Sequence, residues 1–368
     1  MPTGFVFHEL YLWHDTGSPA LYVPAGLTVQ PGENAENPET KRRMKNLLDV
    51  AGLTEHLTAL KPRPASDVEL ARLHTEEHIA NIRAISAAGG GEASEGTPFG
   101  AGSFEIGKLA AGGAMVAVEA VLSGEVRNAY ALIRPPGHHA LANLGMGFCL
   151  FANAALAIIH GRKTKGLGRV AVVDWDVHHG NGTEAAFYDD PETLAISLHQ
   201  DNLFPLGSGS IEARGQGAGF GANLNIPLPP GSGDGAYLAA FDQVVIPALM
   251  RFRPDLIVVA SGFDASAADP LGRMMVTSDG YRKMTALLMS AADTLCNGRI
   301  VMTHEGGYSA AYVPYCGLAV LEEMSGIMTG VKDPFLADFA NFGQQALQPH
   351  QAAAISAAAK LLEDVPKG

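Results

Sequence analysis

The chain has 368 residues, 47% of them hydrophobic and 17% charged, which suits a large buried core and excludes a disordered chain. Its formal net charge of -13 leaves phosphate-backbone binding without electrostatic support, so nucleic acid is not an expected partner, while a cationic substrate is mildly favoured. Cys149, Cys296 and Cys316 share no CxxC spacing and sit in apolar surroundings, which predicts buried thiols rather than a disulfide framework or a Cys-rich zinc site.

The N-terminus shows no basic segment followed by an apolar stretch, so a secretory signal is not expected. Helical patterns run over about 74–88 and 105–122 and lead to an apolar run at Ala129–Ile133. A helix over about 151–162 follows. The apolar segment around Leu150–Ile159 is too short and too Ala-rich to span a bilayer, so a cytoplasmic chain without membrane contact is expected. Further apolar runs at Val170–Val173 and Leu194–Leu198 come next. From His199 to Gly235 the chain is rich in Gly, Pro and Ser and reads as a long loop that walls a binding site. Its glycines do not match GxGxxG, and no acid is placed to hold a ribose, so a dinucleotide site is rejected. A helix at 236–252, a run at Leu256–Ala260, a helix at 278–296, a run at Arg299–Thr303 and a closing helix at Gln351–Glu363 complete the order. The runs are continuously apolar rather than alternating, as strands of a parallel sheet covered on both faces are. The prediction is an α/β fold, one domain over 1–368, with a central, mostly parallel sheet flanked by helices.

Polar residues follow each run. Ala129–Ile133 leads into Arg134-Pro135-Pro136-Gly137-His138-His139, and Val170–Val173 into Asp174-Trp175-Asp176-Val177-His178-His179-Gly180-Asn181. Leu194–Leu198 ends at His199, Leu256–Ala260 leads into Ser261-Gly262-Phe263-Asp264, and Arg299–Thr303 into His304-Glu305-Gly306-Gly307-Tyr308. In a parallel sheet the strand C-termini share one edge, where ligands bind, so these residues should meet in one crevice.

While the chain stays extended, Asp174, Asp176 and His178 point the same way. Ionisable groups so placed beside an apolar strand are costly without a cation. Asp176, His178 and Asp264 supply oxygen and nitrogen donors suited to zinc and leave a coordination position open for chemistry. An isolated DxDxH is more often a solvated turn or an ion-pair cluster; four further polar strand ends decide for a metal. Two carboxylates formally cancel the charge of a zinc ion and weaken its effect on water, so a general base and a hydrogen-bond donor are needed nearby. His138 and His139 can meet the first need and Tyr308 the second.

Together these residues resemble the histone deacetylase superfamily, in particular class II and its bacterial histone deacetylase-like amidohydrolases. The matching stretches are RPPGHHA (Arg134–Ala140), MGFC (Met146–Cys149), VDWDVHHGNGT (Val173–Thr183), ISLH (Ile196–His199), SGFDA (Ser261–Ala265), DPLG (Asp269–Gly272) and HEGGY (His304–Tyr308), with PETKRR (Pro38–Arg43) similar to an N-terminal helix start. They run in family order from about residue 38 to 320.

The resemblance implies an arginase/deacetylase-like architecture and one zinc ion per chain, held by Asp176, His178 and Asp264. It implies that His139 is the general base toward the attacking water and later protonates the leaving amine, with His138, backed by Asp174, as its electrostatic partner. Tyr308 is then the donor that polarises the amide carbonyl. Asn181 stands where class I members have Asp, a class II trait. Phe148 and Phe204 resemble the aromatic walls of an acyl-lysine tunnel, with Gly147 between wall and metal and Leu271 at the lip. A structural potassium site is implied from Asp174 and Ser197 side chains with carbonyls of Asp176, His178 and Leu198; a strand hydroxyl bonded to backbone is the simpler role for Ser197. His179, His199 and His304 are read as structural. The acid that grips substrate backbone at the rim in this family has no clear position here, with Glu92 and Glu95 as candidates.

The resulting expectation is a zinc-dependent amidohydrolase that removes acetyl or related acyl groups from lysine-like amines. Tyr308, where class IIa vertebrate members have His, supports deacetylation. An acetylpolyamine or other small-molecule deacetylase is the alternative, and Leu271 stands where polyamine-preferring members carry Glu. A non-catalytic acyl-lysine binding module is disfavoured by the presence of His138, His139 and Tyr308, and an arginase-type two-manganese site by the lack of paired Asp/His motifs. A homo-oligomer built on the Met- and Leu-rich C-terminal third is admitted.

Overall fold

The computed structural model describes every residue except Glu95 and Gln344. Its strands, in chain order, are β1 (Thr3–Val6), β2 (Thr58–Leu60), β3 (Gly90–Glu92), β4 (Pro98–Gly100), β5 (Asn128–Ala131), β6 (Val170–Asp174), β7 (Thr193–Gln200), β8 (Asn223–Leu228), β9 (Leu256–Ser261) and β10 (Ile300–His304). β3 and β4 form a small antiparallel ribbon. The other eight make one sheet in the order β2-β1-β5-β10-β9-β6-β7-β8, with every neighbouring pair parallel.

Alternate residues of each strand feed two separate cores. Val170, Val172, Leu256 and Val258 pack into a layer that includes the helices Ser103–Leu122 and Asn153–Lys165. Ala171, Val173, Ile257 and Val259 face the opposite layer, which includes Glu39–Val50, Ser278–Cys296, Val313–Ser325 and Pro349–Ala359. Every residue of β6 and β9 is buried, which is why their sequences are apolar without alternation. Cys149, Cys296 and Cys316 are buried thiols. Among the described residues, no helix is long and apolar enough to cross a membrane.

The structure adds elements that the apolar runs did not announce, among them β1 and β2, and three departures have a clear physical reason. The segment 199–235 is not all loop: β8 lies within it and pairs with β7 from Ala195↔Asn223 to Gln200↔Leu228. Asn223, Asn225 and Pro227 break its apolar pattern, and an edge strand tolerates such a proline because one side needs no donor. The helix expected over 236–252 is Asp234–Ala240 and Ile246–Phe252 joined by a π-helical turn at Phe241–Val245. Pro247 removes a backbone donor there, and the wider turn absorbs the gap in the hydrogen-bond ladder. The helix Val313–Ser325 was hidden by Pro314 and Gly317, yet proline in a first turn is well tolerated because the N–H it lacks would be unpaired anyway.

Candidate active site

The five central strands β5-β10-β9-β6-β7 are adjacent although remote in the chain, and their C-terminal ends bring the predicted residues together. β6 ends at Asp174, and the chain beyond it is not extended as expected. It curls through two turns in which a carboxylate accepts the N–H two residues on: Asp174 Oδ1 from Asp176 at 3.0 Å and Asp176 Oδ1 from His178 at 2.9 Å. The result aims Asp174 at His138 and leaves Asp176 and His178 facing Asp264 from β9.

Asp176, His178 and Asp264 are buried, with ligand atoms all within 4.8 Å of one another. His178 Nδ1 lies 3.0 Å from Asp176 Oδ1 and 3.1 Å from Asp264 Oδ2. Backbone N–H groups fix the carboxylates from behind: Gly306 donates to Asp176 Oδ2 at 2.8 Å, and Val177 to Asp264 Oδ1 at 2.8 Å. Burial alone would lower the His178 imidazole, but hydrogen bonds to Asp176 and Asp264 outweigh it and push it up to about 10. Burial pushes Asp264 up to about 8, helped by the charge of Asp176. Burial also opposes ionisation of Asp176, yet the charge of His138 and the hydrogen bond from His178 hold it below the usual carboxylate range. Two carboxylates and an imidazole that compete for protons in a dry pocket are a donor set that fits a divalent cation, and one nitrogen with two oxygens fits zinc.

β5 leads into a rigid Pro-Pro-Gly turn that presents the histidine pair. His138 Nδ1 lies 2.9 Å from Asp174 Oδ2, and its Nε2 faces Asp176 Oδ1 at 3.8 Å. His139 Nδ1 lies 2.7 Å from Asn181 Oδ1, and the two rings are 3.9 Å apart. Their environments separate them. Burial disfavours a cation on His138, but the charges of Asp176 and Asp174 override this and raise it well above the ordinary imidazole value. His139 is lowered well below that value, by burial and then by the charges of His138 and His178. A cationic imidazole beside a neutral one is an arrangement that can serve as an electrostatic partner and a base.

Tyr308 follows β10 and is partly exposed, with its ring 5.9 Å from Phe148 and 6.4 Å from His178. Burial, then the nearby Asp264 and Asp176, raise its phenol well above the ordinary value, so it stays protonated and can donate. Phe204 stands edge-on to His139 at 5.1 Å and lies 6.0 Å from His178. Gly147 is at φ +52°, and a Cβ there would sit 2.3 Å from His139 Cδ2 and 2.9 Å from Phe204 Cε1. Glycine is thus required where the loop bearing Phe148 passes His139. Leu271 is partly exposed, and its N–H is held by Asp269 Oδ1 at 2.8 Å.

Asp174 and Ser197 are register partners across β6 and β7, with Leu198 next in the strand. Ser197 Oγ lies 2.9 Å from His199 Nδ1, and the His199 ring reaches on to the Gly209 carbonyl at 3.0 Å. His179 Nδ1 lies 3.0 Å from Ser208 Oγ, and His304 Nδ1 3.1 Å from the Tyr130 hydroxyl. Of the rim-acid candidates, Glu92 is exposed and borders a surface hollow with Thr16 and Tyr22, and Glu95 lies outside the described residues.

Three residues, Asp269, Glu305 and Arg134, were quoted within motifs but given no role. Asp269 Oδ2 accepts the Tyr308 N–H at 2.7 Å, and buried Glu305 binds the turn before His138. Acids embedded in glycine-rich strand ends were the available signal. Arg134 is also fully buried and clamps the N-terminal segment, with Nε 2.9 Å from both Glu36 oxygens and guanidinium bonds to the Tyr11 and His14 carbonyls.

The chain is similar to known proteins over most of its length. Residues 34–324 match the family described as Histone deacetylase domain. A "Histone deacetylase-like amidohydrolase" of Pseudomonas aeruginosa is 54% identical over 345 residues, 93% of this chain and 90% of its own length. A "Probable deacetylase" of Archaeoglobus fulgidus is 35% identical over 91% of this chain and 89% of its own. The solved structure titled "Crystal Structure of HDA15 HD domain" superposes with a TM-score of 0.82 at 32% identity and covers 98% of both chains. With the parallel sheet, the strand-end residues and these matches in agreement, the chain belongs to the histone deacetylase family.

Proposed function

We propose that the span 1–368 acts as one zinc-dependent deacetylase domain that hydrolyses the amide of acylated, lysine-like amines. The observation that carries this is the convergence of Asp176, His178 and Asp264 with a neutral His139 and a protonated Tyr308 on one sheet edge. Asp176, His178 and Asp264 would hold one zinc ion, which would supply Lewis acidity and acidify a bound water. His139, with Nδ1 tied to Asn181, takes the proton of the attacking water at Nε2 and delivers it to the leaving amine. His138, kept cationic by Asp174 and Asp176, stabilises the negative charge that develops. Tyr308 donates its phenolic proton in a hydrogen bond to the oxyanion.

Phe148 and Phe204 flank the approach, with Gly147 between them and the base and Leu271 at the lip, a slot suited to an aliphatic stem. We assign a supporting potassium ion to Asp174, Ser197 and the carbonyls of Asp176, His178 and Leu198; oxygen-only ligation fits it, and the Ser197 hydroxyl meets the His199 ring rather than backbone alone. The net charge of -13 supports an amine rather than a nucleic acid partner, and a cytoplasmic setting and self-association complete the proposal.

Elemental analysis and an acyl-lysine peptide panel test this reading. One zinc per chain and chelator-sensitive release of acyl groups are expected. Asp264→Ala should lose both metal and turnover, and stoichiometric zinc in that variant would refute the ligand set. A higher kcat/KM on acetylated putrescine than on acetyl-lysine peptide would transfer the assignment to polyamines, against which Leu271 at the lip weighs.

A further inference from the structure

Before β10 is counted, the sheet consists of two pieces, β2-β1-β5 and β9-β6-β7-β8, and β10 joins them. The histidine pair hangs from the first piece and the three metal-binding side chains from the second. The two residues that follow β10 reach in opposite directions. Glu305 Oε2 accepts the N–H of Gly137 at 2.6 Å and of His138 at 3.0 Å, both after β5. Gly306 donates its N–H to Asp176 Oδ2 at 2.8 Å, after β6. A Cβ on residue 306 would come 2.1 Å from Asp264 Oδ2, so the backbone there runs hard against the ligand carboxylates.

The Glu305 carboxylate is fully buried, and its remaining bond is Oε1 to the Thr303 hydroxyl at 3.1 Å. Among the described residues its hydrogen bonds come from backbone N–H groups and a hydroxyl; the cationic His138 eases its charge from nearby, but burial outweighs that. Burying a carboxylate on such terms is costly, so what it holds in place has to account for its presence.

We propose that Glu305 is a positioning residue for the deacetylation reaction, which sets the separation between the His138–His139 pair and the metal ligands by gripping the backbone of Gly137 and His138. The inference rests on the function proposed above. Because Oε2 takes both backbone bonds, the amide oxygen of a glutamine can replace it, and the amide nitrogen can donate to Thr303 Oγ. An aspartate is one methylene too short, and an alanine leaves two buried N–H groups unpaired.

The test compares zinc-loaded wild type, Glu305→Gln, Glu305→Asp and Glu305→Ala on an acyl-lysine peptide, with zinc content and Tm recorded for each. A displacement of about 1 Å at a base costs roughly 10²-fold in rate, so kcat should fall by about that factor in Glu305→Ala and Glu305→Asp. KM and zinc content should stay within about threefold of wild type, and Glu305→Gln should recover kcat to within about tenfold. A readout independent of turnover is the downfield proton NMR signal of the imidazole N–H between His138 and Asp174, retained in Glu305→Gln and lost or broadened in Glu305→Asp and Glu305→Ala. If Glu305→Ala does not fold, the Gln and Asp variants carry the comparison. Wild-type kcat with an unchanged signal in Glu305→Asp overturns the inference, as does a Gln variant as impaired as the Asp one. If wild type itself does not turn over acyl-lysine, the proposed function fails, while the NMR comparison still decides what Glu305 holds.

Discussion

Asp269 and Tyr308 are joined by a bond from the tyrosine N–H to Oδ2 at 2.7 Å, while Asp269 Oδ1 accepts the N–H groups of Leu271 at 2.8 Å and Gly272 at 3.2 Å. One carboxylate therefore ties the Tyr308 backbone to the Leu271–Gly272 turn, and it uses both oxygens to do so. An asparagine can accept on one side only. Asp269→Asn should thus lose nearly as much kcat/KM as Asp269→Ala, about 10- to 100-fold, with zinc retained. This contrasts with Glu305, where one oxygen takes both backbone bonds. Steady-state kinetics on both Asp269 variants checks it, and an Asp269→Asn enzyme close to wild type would show that the bridge is unimportant.

Tyr308→Phe removes a phenolic donor and nothing that binds metal. We expect zinc content and KM to hold while kcat falls by about 10²- to 10³-fold, the usual loss for an oxyanion donor. Single-turnover kinetics with metal analysis measures both, and near-wild-type turnover would contradict the role.

Gly147→Ala places a methyl group against His139 and Phe204 at a positive φ. The loop must move or the base must turn, at a cost of about 1–3 kcal/mol. Lower Tm, higher KM and lower kcat should appear together, since wall and base are displaced by the same atom. A variant with unchanged kcat and KM would mean that the loop yields freely.

Burial raises the Glu305 carboxyl from its ordinary 4.5 to about 7. The folded protein therefore holds this proton more tightly than the unfolded chain. The associated stability is present in full below about pH 4.5 and is lost as pH rises toward 7, a change on the order of 3 kcal/mol. Glu305→Gln lacks this term. The stability of wild type relative to Glu305→Gln, from denaturant unfolding at a series of pH values, should decline across that window, and a flat difference would refute it.

Much of this site was legible because parallel strands buried on both faces have to be written as unbroken apolar runs, as in Val170–Val173 and Leu256–Ala260. Each run then points to the polar residues at its end, so His138, Asp176, Asp264 and Tyr308 could be gathered without coordinates. β8 escaped because an edge strand can carry Asn223, Asn225 and Pro227. The aim of Asp174 was decided by side-chain-to-backbone bonds rather than by strand alternation, which no periodicity reveals. Glu305 was silent for a related reason: it grips backbone 168 positions away, and a backbone N–H has no letter in the sequence.

The central place of β10 also governs how the enzyme comes into being. It is the last strand to leave the ribosome, and it belongs in the middle of the sheet. Until it arrives, β5 and β9 each present an open edge, the form of exposed surface most prone to pairing with another chain. Asp176, His178 and Asp264 are all synthesised by then, but the Gly306 N–H that holds Asp176 Oδ2 follows β10 and arrives with it. This single five-residue strand therefore completes both the middle of the sheet and the setting of Asp176.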